Sequence, residues 1–272
     1  MNLTELEIFP DDRIARITLN NPAKRNALSY DLLGSLEERL TAMASARTVN
    51  VIIIRAEGPV FSAGHDLREI LGHPTPAVRD LFLRCGDTMR AIRRAPQVVI
   101  AEVDGIATAA GCQLVAAADL AVASTTSRFA TPGVKIGYFC GTPAVHVSRN
   151  LPLKKAAEML FTGEFMTAEE ALQHGLVNRL APPGETAGAV WTLAQSAARF
   201  SLAVLESGKQ LLYRQQEMPE EGALTYATEF MALQSATPDA HEGITAFFAK
   251  RDPAWSDRTP FPGHSVKLHR AE

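Results

Sequence analysis

Two short stretches of this 272-residue chain place small residues where chemistry could be done: FSAGHDL, Phe61 to Leu67, and IATAAGCQL, Ile106 to Leu114. Each follows an apolar, β-branched run and precedes an incipient helix, so each reads as a strand, a tight turn and a helix start. Small residues at such a turn let a ligand approach the backbone, and the first N–H groups of a helix have no partner within it. Two such turns on adjacent layers can aim two N–H donors at one oxygen. That is the arrangement of an oxyanion hole, where one donor is worth about 3 kcal/mol to a developing negative charge. Ala-Gly turns between strands and helices are common without any such site, so spacing alone leaves both readings open.

The elements that must position these turns are legible around them. LTELEIF and RIARITL alternate apolar and polar residues on either side of PDD, the pattern of an antiparallel pair. Ser29 can cap a helix whose residues Leu32, Leu33, Leu36, Leu40 and Met43 fall on one face. NVIIIRAEG, PQVVIAEVDG and DLAVAS are short and continuously apolar, as strands covered on both faces are. The covering helices are expected over Val78 to Arg94 and around Cys112 to Ala117, which makes the chain an α/β alternation. In MTAEEALQHGLVNRL, Thr167 and Glu170 have capping-box spacing, Gly175 sits where the helix would stop, and a short strand follows. Residues Thr186 to Lys250 offer three helical stretches before a polar, Pro-bearing tail from Arg251. APPGET, Ala181 to Thr186, marks a soft boundary.

Composition narrows the classes of function. With 46% apolar residues the chain can bury a full core, and a net charge of −3 leaves no basic footprint for nucleic acid. No apolar run approaches the ~20 residues of a membrane helix, and the N-terminal segment lacks a basic region followed by an apolar one, so a cytoplasmic protein without membrane contact is expected. Cys85, Cys112 and Cys140 lack metal-ligand spacing and are expected to be free thiols, with no metal site.

At this point the motifs resemble a known family. NPAKRNALS, FSAGHDL, VDGIATAAGCQLVAAADLAVAS, FATPGVKIGYFCGTP, LFTGEFMTAEEALQHGLVNRL and EGITAFFAKRDPAW occur in the order found in the crotonase, or enoyl-CoA hydratase/isomerase, family, over nearly the whole chain. The resemblance implies an α/β spiral of ββα units. Its core and acyl-CoA site would occupy residues 1–185, and a helical region, 186–272, would make trimer contacts and close over CoA. It implies a homotrimer or a dimer of trimers, an acyl-CoA thioester as ligand, and coenzyme A present only as part of that ligand.

Carried over residue by residue, the resemblance makes the backbone N–H groups of His65 and Ala110 the oxyanion donors, so the His65 imidazole itself need not be catalytic. It assigns CoA contacts to Lys24, Arg25 and Ala27, to Ala63, Asp66, Leu67 and Arg68, and to the C-terminal Phe247 and Lys250. The cations among these could equally be solvated surface charges. The family's two catalytic glutamates fall on Gln113 and Gly133, so both carboxylates are missing. Gln113 can orient a water but cannot take its proton, and Gly133 offers only backbone. Tyr138 and Cys140 are further pocket candidates, Cys140 more as a small buried residue than as a nucleophile. This pattern is similar to a branch of the family that lacks both glutamates. An acyl-CoA-binding protein that stabilises a thioester oxyanion or enolate is expected, with efficient hydration in doubt. The alternatives are a noncatalytic acyl-CoA binder or regulator, a decarboxylase or other lyase, and a partner subunit in a mixed trimer.

Overall fold

The computed structural model describes residues 2–258, so residues 259–272 of the expected polar tail lie outside the described residues. The described residues form two compact units, divided between Arg199 and Phe200.

The first unit is built from a repeated pattern of two strands and a helix. A hairpin of β1 (Thr4–Phe9) and β2 (Ile14–Leu19) leads into α1 (Tyr30–Ala46), whose cap is the Ser29 hydroxyl accepting from Leu32 N–H. Next come β3 (Val51–Ala56), β4 (Val60–Ser62) and α2 (Thr75–Arg94), then β5 (Val98–Val103), β6 (Ile106–Thr108) and α3 (Ala110–Ala117). The fourth repeat is β7 (Leu120–Ser124), β8 (Arg128–Ala130), α4 (Gly141–Asn150) and α5 (Leu153–Thr162). β9 (Met166–Thr167), α6 (Ala168–Gln173) with its capping box, β10 (Arg179–Ala181) and α7 (Thr186–Ala198) complete the unit.

Both strands of the initial hairpin and the first strands of the later repeats form a large sheet with β10, in the order β1-β2-β3-β5-β7-β10, while the second strands of those later repeats form a small one with β9, in the order β4-β6-β8-β9. This is the expected α/β spiral of ββα units. The apolar runs read as doubly covered strands because they are. In β3, Ile52 and Ile54 face the main core with α1 and α2, while Val51 and Ile53 face a second cluster with Val190, Leu193 and Ala194 of α7. In β5, Val99 and Ala101 alternate with Ile100 in the same way.

That second cluster corrects the expected boundary after residue 185. APPGET is only the crossover loop into α7, which supplies the cover for the far face of the large sheet and belongs to the first unit. The second unit contains α8 (Leu202–Gln215), α9 (Glu220–Gln234) and α10 (Pro238–Ala249), so four helices, rather than three, span 186–250. Within it, Ser201 and Thr237 cap α8 and α10, and the Asp239 carboxylate accepts from the Ser201 hydroxyl and the Ser256 N–H.

Candidate active site

The small sheet sets the site. β4, β6 and β8 are parallel neighbours, with Val60 opposite Ile106 and Thr108 opposite Ala130, so the turns after all three leave the same edge. The two Ala-Gly turns therefore lie side by side on one sheet and not on adjacent layers. A cavity of about 580 Å³ opens there. Ala63, His65 and Leu67 line it from the first turn, Ala109 and Ala110 from the second, and Gly133, Tyr138 and Cys140 from the third.

Glycine is required where the turns meet. Gly64 has φ +88°, and a Cβ placed on it would lie 2.8 Å from Ala109 Cβ, 3.1 Å from Thr108 O and 3.2 Å from Ala110 N. Ala109 itself takes φ 51°, held by its N–H donating to Ala130 O at 2.9 Å. That conformation, rare for a residue with a Cβ, starts α3 directly at the cavity wall. Among the described residues, neither the backbone N–H of His65 nor that of Ala110 donates a hydrogen bond. Two unpaired donors at one apolar cavity suit an oxygen that gains negative charge.

A residue that the motif reading passed over braces this geometry. Asn26 is fully buried in the 24–29 loop; its amide donates to Glu57 O and Val60 O at 2.8 Å each, and its Oδ1 accepts from Asn21 N–H at 2.8 Å. Ser62 Oγ donates to Asn26 O, Ala63 N–H to Arg25 O and Leu28 N–H to Gly64 O. These bonds lace the first turn to the loop carrying Lys24, Arg25 and Ala27. Its signal in the sequence is an Asn between Arg25 and Ala27, which no periodicity marks.

The charged residues gather around Asp66. Its carboxylate accepts from Arg68 Nε at 3.0 Å and NH2 at 3.1 Å, and Lys24 Nζ is 3.8 Å away. The Arg68 hydrogen bond, outweighing the burial, holds the Asp66 carboxyl below the usual carboxylate range. Lys24 and Arg68 thus share one anion beside the first turn. Phe247 and Lys250 lie in the second unit, the former 78% exposed and the latter ending α10 in a left-handed conformation.

The His65 imidazole has its Nδ1 3.1 Å from Leu28 O and packs at right angles to the Phe82 ring, with centroids 5.0 Å apart. Burial pushes its pKa down, partly offset by the Leu28 carbonyl. Phe82 lines the cavity and stacks on Tyr138 at 6.3 Å, and Ile136 and Phe139 extend the apolar wall. Cys85, Cys112 and Cys140 are free and buried; burial raises the Cys140 thiol, which keeps it a poor nucleophile.

No carboxylate lines the cavity among the described residues. Gln113, only 2% exposed, is not part of its wall. Its amide lies between Cys85 of α2, Sγ to Oε1 4.0 Å, and His146 of α4, Nε2 to Nδ1 3.3 Å. The water-orienting role considered for Gln113 therefore has no support in this arrangement. Gly133 does line the cavity, but a Cβ on it would lie 2.0 Å from Tyr138 O and 2.8 Å from Cys140 Sγ. The loop has closed over the place where a side chain would emerge.

The model of the family described as "Enoyl-CoA hydratase/isomerase" matches residues 11–258. The human enoyl-CoA hydratase domain-containing protein 3, mitochondrial, is 47% identical over 250 residues, which are 90% of this chain and 81% of that protein. Its crystal structure superposes with a TM-score of 0.90 at 44% identity, over 93% of this chain and all of that one. The crystal structure of an enoyl-CoA hydratase from Mycobacterium smegmatis also gives 0.90, at 42% identity, over 94% of this chain and 99% of that one. The human relative, named as mitochondrial, overturns the expected cytoplasmic location. Composition and charge meet the same solubility requirements in any aqueous compartment, so they carried no information on this point.

Proposed function

Because this chain belongs to the enoyl-CoA hydratase/isomerase, or crotonase, family, we propose that it binds an acyl-CoA thioester and holds the thioester oxygen between the N–H groups of His65 and Ala110. The observation that carries this reading is the pair of unpaired N–H donors on touching turns at one apolar cavity. The donors are fixed before any ligand arrives, so polarising the carbonyl requires no reorganisation at the moment charge develops. The acyl group would lie against Phe82, Ile136 and Phe139. The CoA would run along the 24–29 loop, where Arg25 is exposed and has no ion-pair partner among the described residues.

Hydration would be slow. Adding water to an enoyl thioester needs a base for the water and an acid for the α carbon, each worth about 100- to 10,000-fold. Among the described residues, no carboxylate lines the cavity to do either. This favours thioester binding and oxyanion stabilisation without efficient hydratase turnover. Assembly through the second unit belongs to the same proposal: Leu224, Met231 and Leu233 of α9 and Phe248 of α10 are each at least 62% exposed.

Calorimetry with butyryl-CoA, butyrate and free CoA tests the binding, and loss of crotonyl-CoA absorbance tests the hydration. Preference for the thioester with little hydration is the expected result. Equal affinity for CoA and butyryl-CoA would sink the binding assignment, and rapid hydration would sink the account of the missing carboxylates.

A further inference from the structure

One polar atom of a cavity-lining residue has no role in the reading above. The Nε2 of His65 is buried and has no hydrogen-bond partner. Leu28 O, 3.1 Å from Nδ1, can only accept, so Nδ1 carries the hydrogen and the neutral ring presents a lone pair at Nε2. Burial keeps the ring neutral near pH 7, because charging it would strand a cation in an apolar wall. The other polar groups at the cavity are differently disposed. Lys135 Nζ is paired with Glu164 at 2.7 Å, Tyr138 is 44% exposed, and the Cys140 thiol is a weak donor. Among the described residues, His65 is thus the one cavity residue that offers a buried side-chain acceptor lacking any donor.

We propose that His65 reads the acyl group: Nε2 accepts a hydrogen bond from a hydroxyl on the acyl chain, so the site favours hydroxyacyl thioesters and disfavours acyl groups that end in a carboxylate. The assignment rests on the acyl-CoA reading above. A hydroxyl satisfies the stranded lone pair, an alkyl chain leaves it stranded, and a carboxylate places a second set of lone pairs against it without a proton between them. Nε2 is out of solvent contact in the unliganded cavity. The Phe82 ring packs on the imidazole and lines the same cavity, and in this proposal it shifts to admit the hydroxyl.

The test is calorimetry with 3-hydroxybutyryl-CoA, butyryl-CoA and malonyl-CoA on the full chain and on the variants His65→Phe and His65→Gln. The wild-type chain should bind the hydroxyacyl thioester about 10-fold more tightly than butyryl-CoA, and malonyl-CoA least well. The hydroxyacyl-to-butyryl ratio should fall towards unity in His65→Phe and be partly kept in His65→Gln, whose carbonyl can still accept. A wild-type ratio of one, or a ratio that His65→Phe leaves unchanged, overturns the assignment of His65 while the acyl-CoA reading stands. If none of the three thioesters binds, the acyl-CoA reading falls and takes this inference with it.

Discussion

Replacing Gly64 by alanine is the sharpest test of how the two turns cooperate. The substitution carries two separate costs. Its φ of +88° is unfavourable for any residue with a Cβ, by about 1–2 kcal/mol. The new methyl group would also press on Ala109 Cβ at 2.8 Å and on Thr108 O and Ala110 N at 3.1 and 3.2 Å, all of them parts of the second turn. Overpacking of this kind costs about 1–3 kcal/mol. The sum, about 2–5 kcal/mol, does not exceed the 5–15 kcal/mol by which a folded domain is typically stable, so the variant should fold with a clear loss in urea stability. Relief of the clash must push the Ala109–Ala110 turn away from the first. That misaligns one or both donors and lowers the affinity for butyryl-CoA relative to free CoA by about 5- to 30-fold. Gly184→Ala is the control: its φ of +84° imposes the backbone cost, but no atom lies within 4 Å of the added Cβ. Urea unfolding followed by circular dichroism, with calorimetry on both ligands, reads both effects. Equal stability losses in the two variants, with the thioester preference intact in Gly64→Ala, would refute the contact between the turns as the organising feature.

Three further outcomes follow from the same geometry. Restoring the family's carboxylates by Gln113→Glu with Gly133→Glu should not create a hydratase, since one position is outside the cavity wall and the other meets Tyr138 O at 2.0 Å; crotonyl-CoA hydration should stay at the wild-type rate and the unfolding midpoint should drop. Asn26→Ala removes three hydrogen bonds from a fully buried side chain, taking that partner from the Asn21 N–H and from the Glu57 and Val60 carbonyls, so a loss of about 2–4 kcal/mol in urea is expected, together with weaker thioester binding. His146 is pushed down to about 4 in the folded chain by burial, with Arg93 and Arg149 adding to it, against 6.5 unfolded. The unfolded chain therefore binds the extra proton between those values, and stability should fall as the pH drops from about 6.5 to about 4. His146→Gln should flatten that part of a stability-versus-pH curve, and an unchanged slope would remove His146 as its cause.

The large sheet was legible because burial on both faces writes itself into β3, β5 and β7 as continuous apolar runs, and because Ser29 and the Thr167–Glu170 pair mark helix starts chemically. The small sheet was not, since β4, β6 and β8 are three residues each, too short for any period to emerge. The turns that follow them could be seen as turns, but their meeting on one sheet edge is a tertiary fact. Phe82 illustrates a different limit. It lies at the edge of the stripe of Leu81, Cys85, Met89 and Ile92 that anchors α2, so amphipathic spacing does not distinguish a core residue from one that faces a cavity. Phe82 faces the cavity. At Gly133 the sequence told only that a side chain was missing; that the Tyr138 carbonyl fills the vacant direction depends on the fold of the 132–140 loop.

The claim that a thioester carbonyl sits between the His65 and Ala110 N–H groups has a direct spectroscopic test. Butyryl-CoA labelled with ¹³C at its carbonyl can be followed by infrared difference spectroscopy, free and bound to the intact chain. Two donors on one oxygen draw electron density from the C=O bond, so its stretch should move to lower frequency on binding, and move less in Gly64→Ala. A bound thioester whose carbonyl absorbs at or above its frequency in water would contradict the account, because the oxygen would then lie outside the reach of both donors.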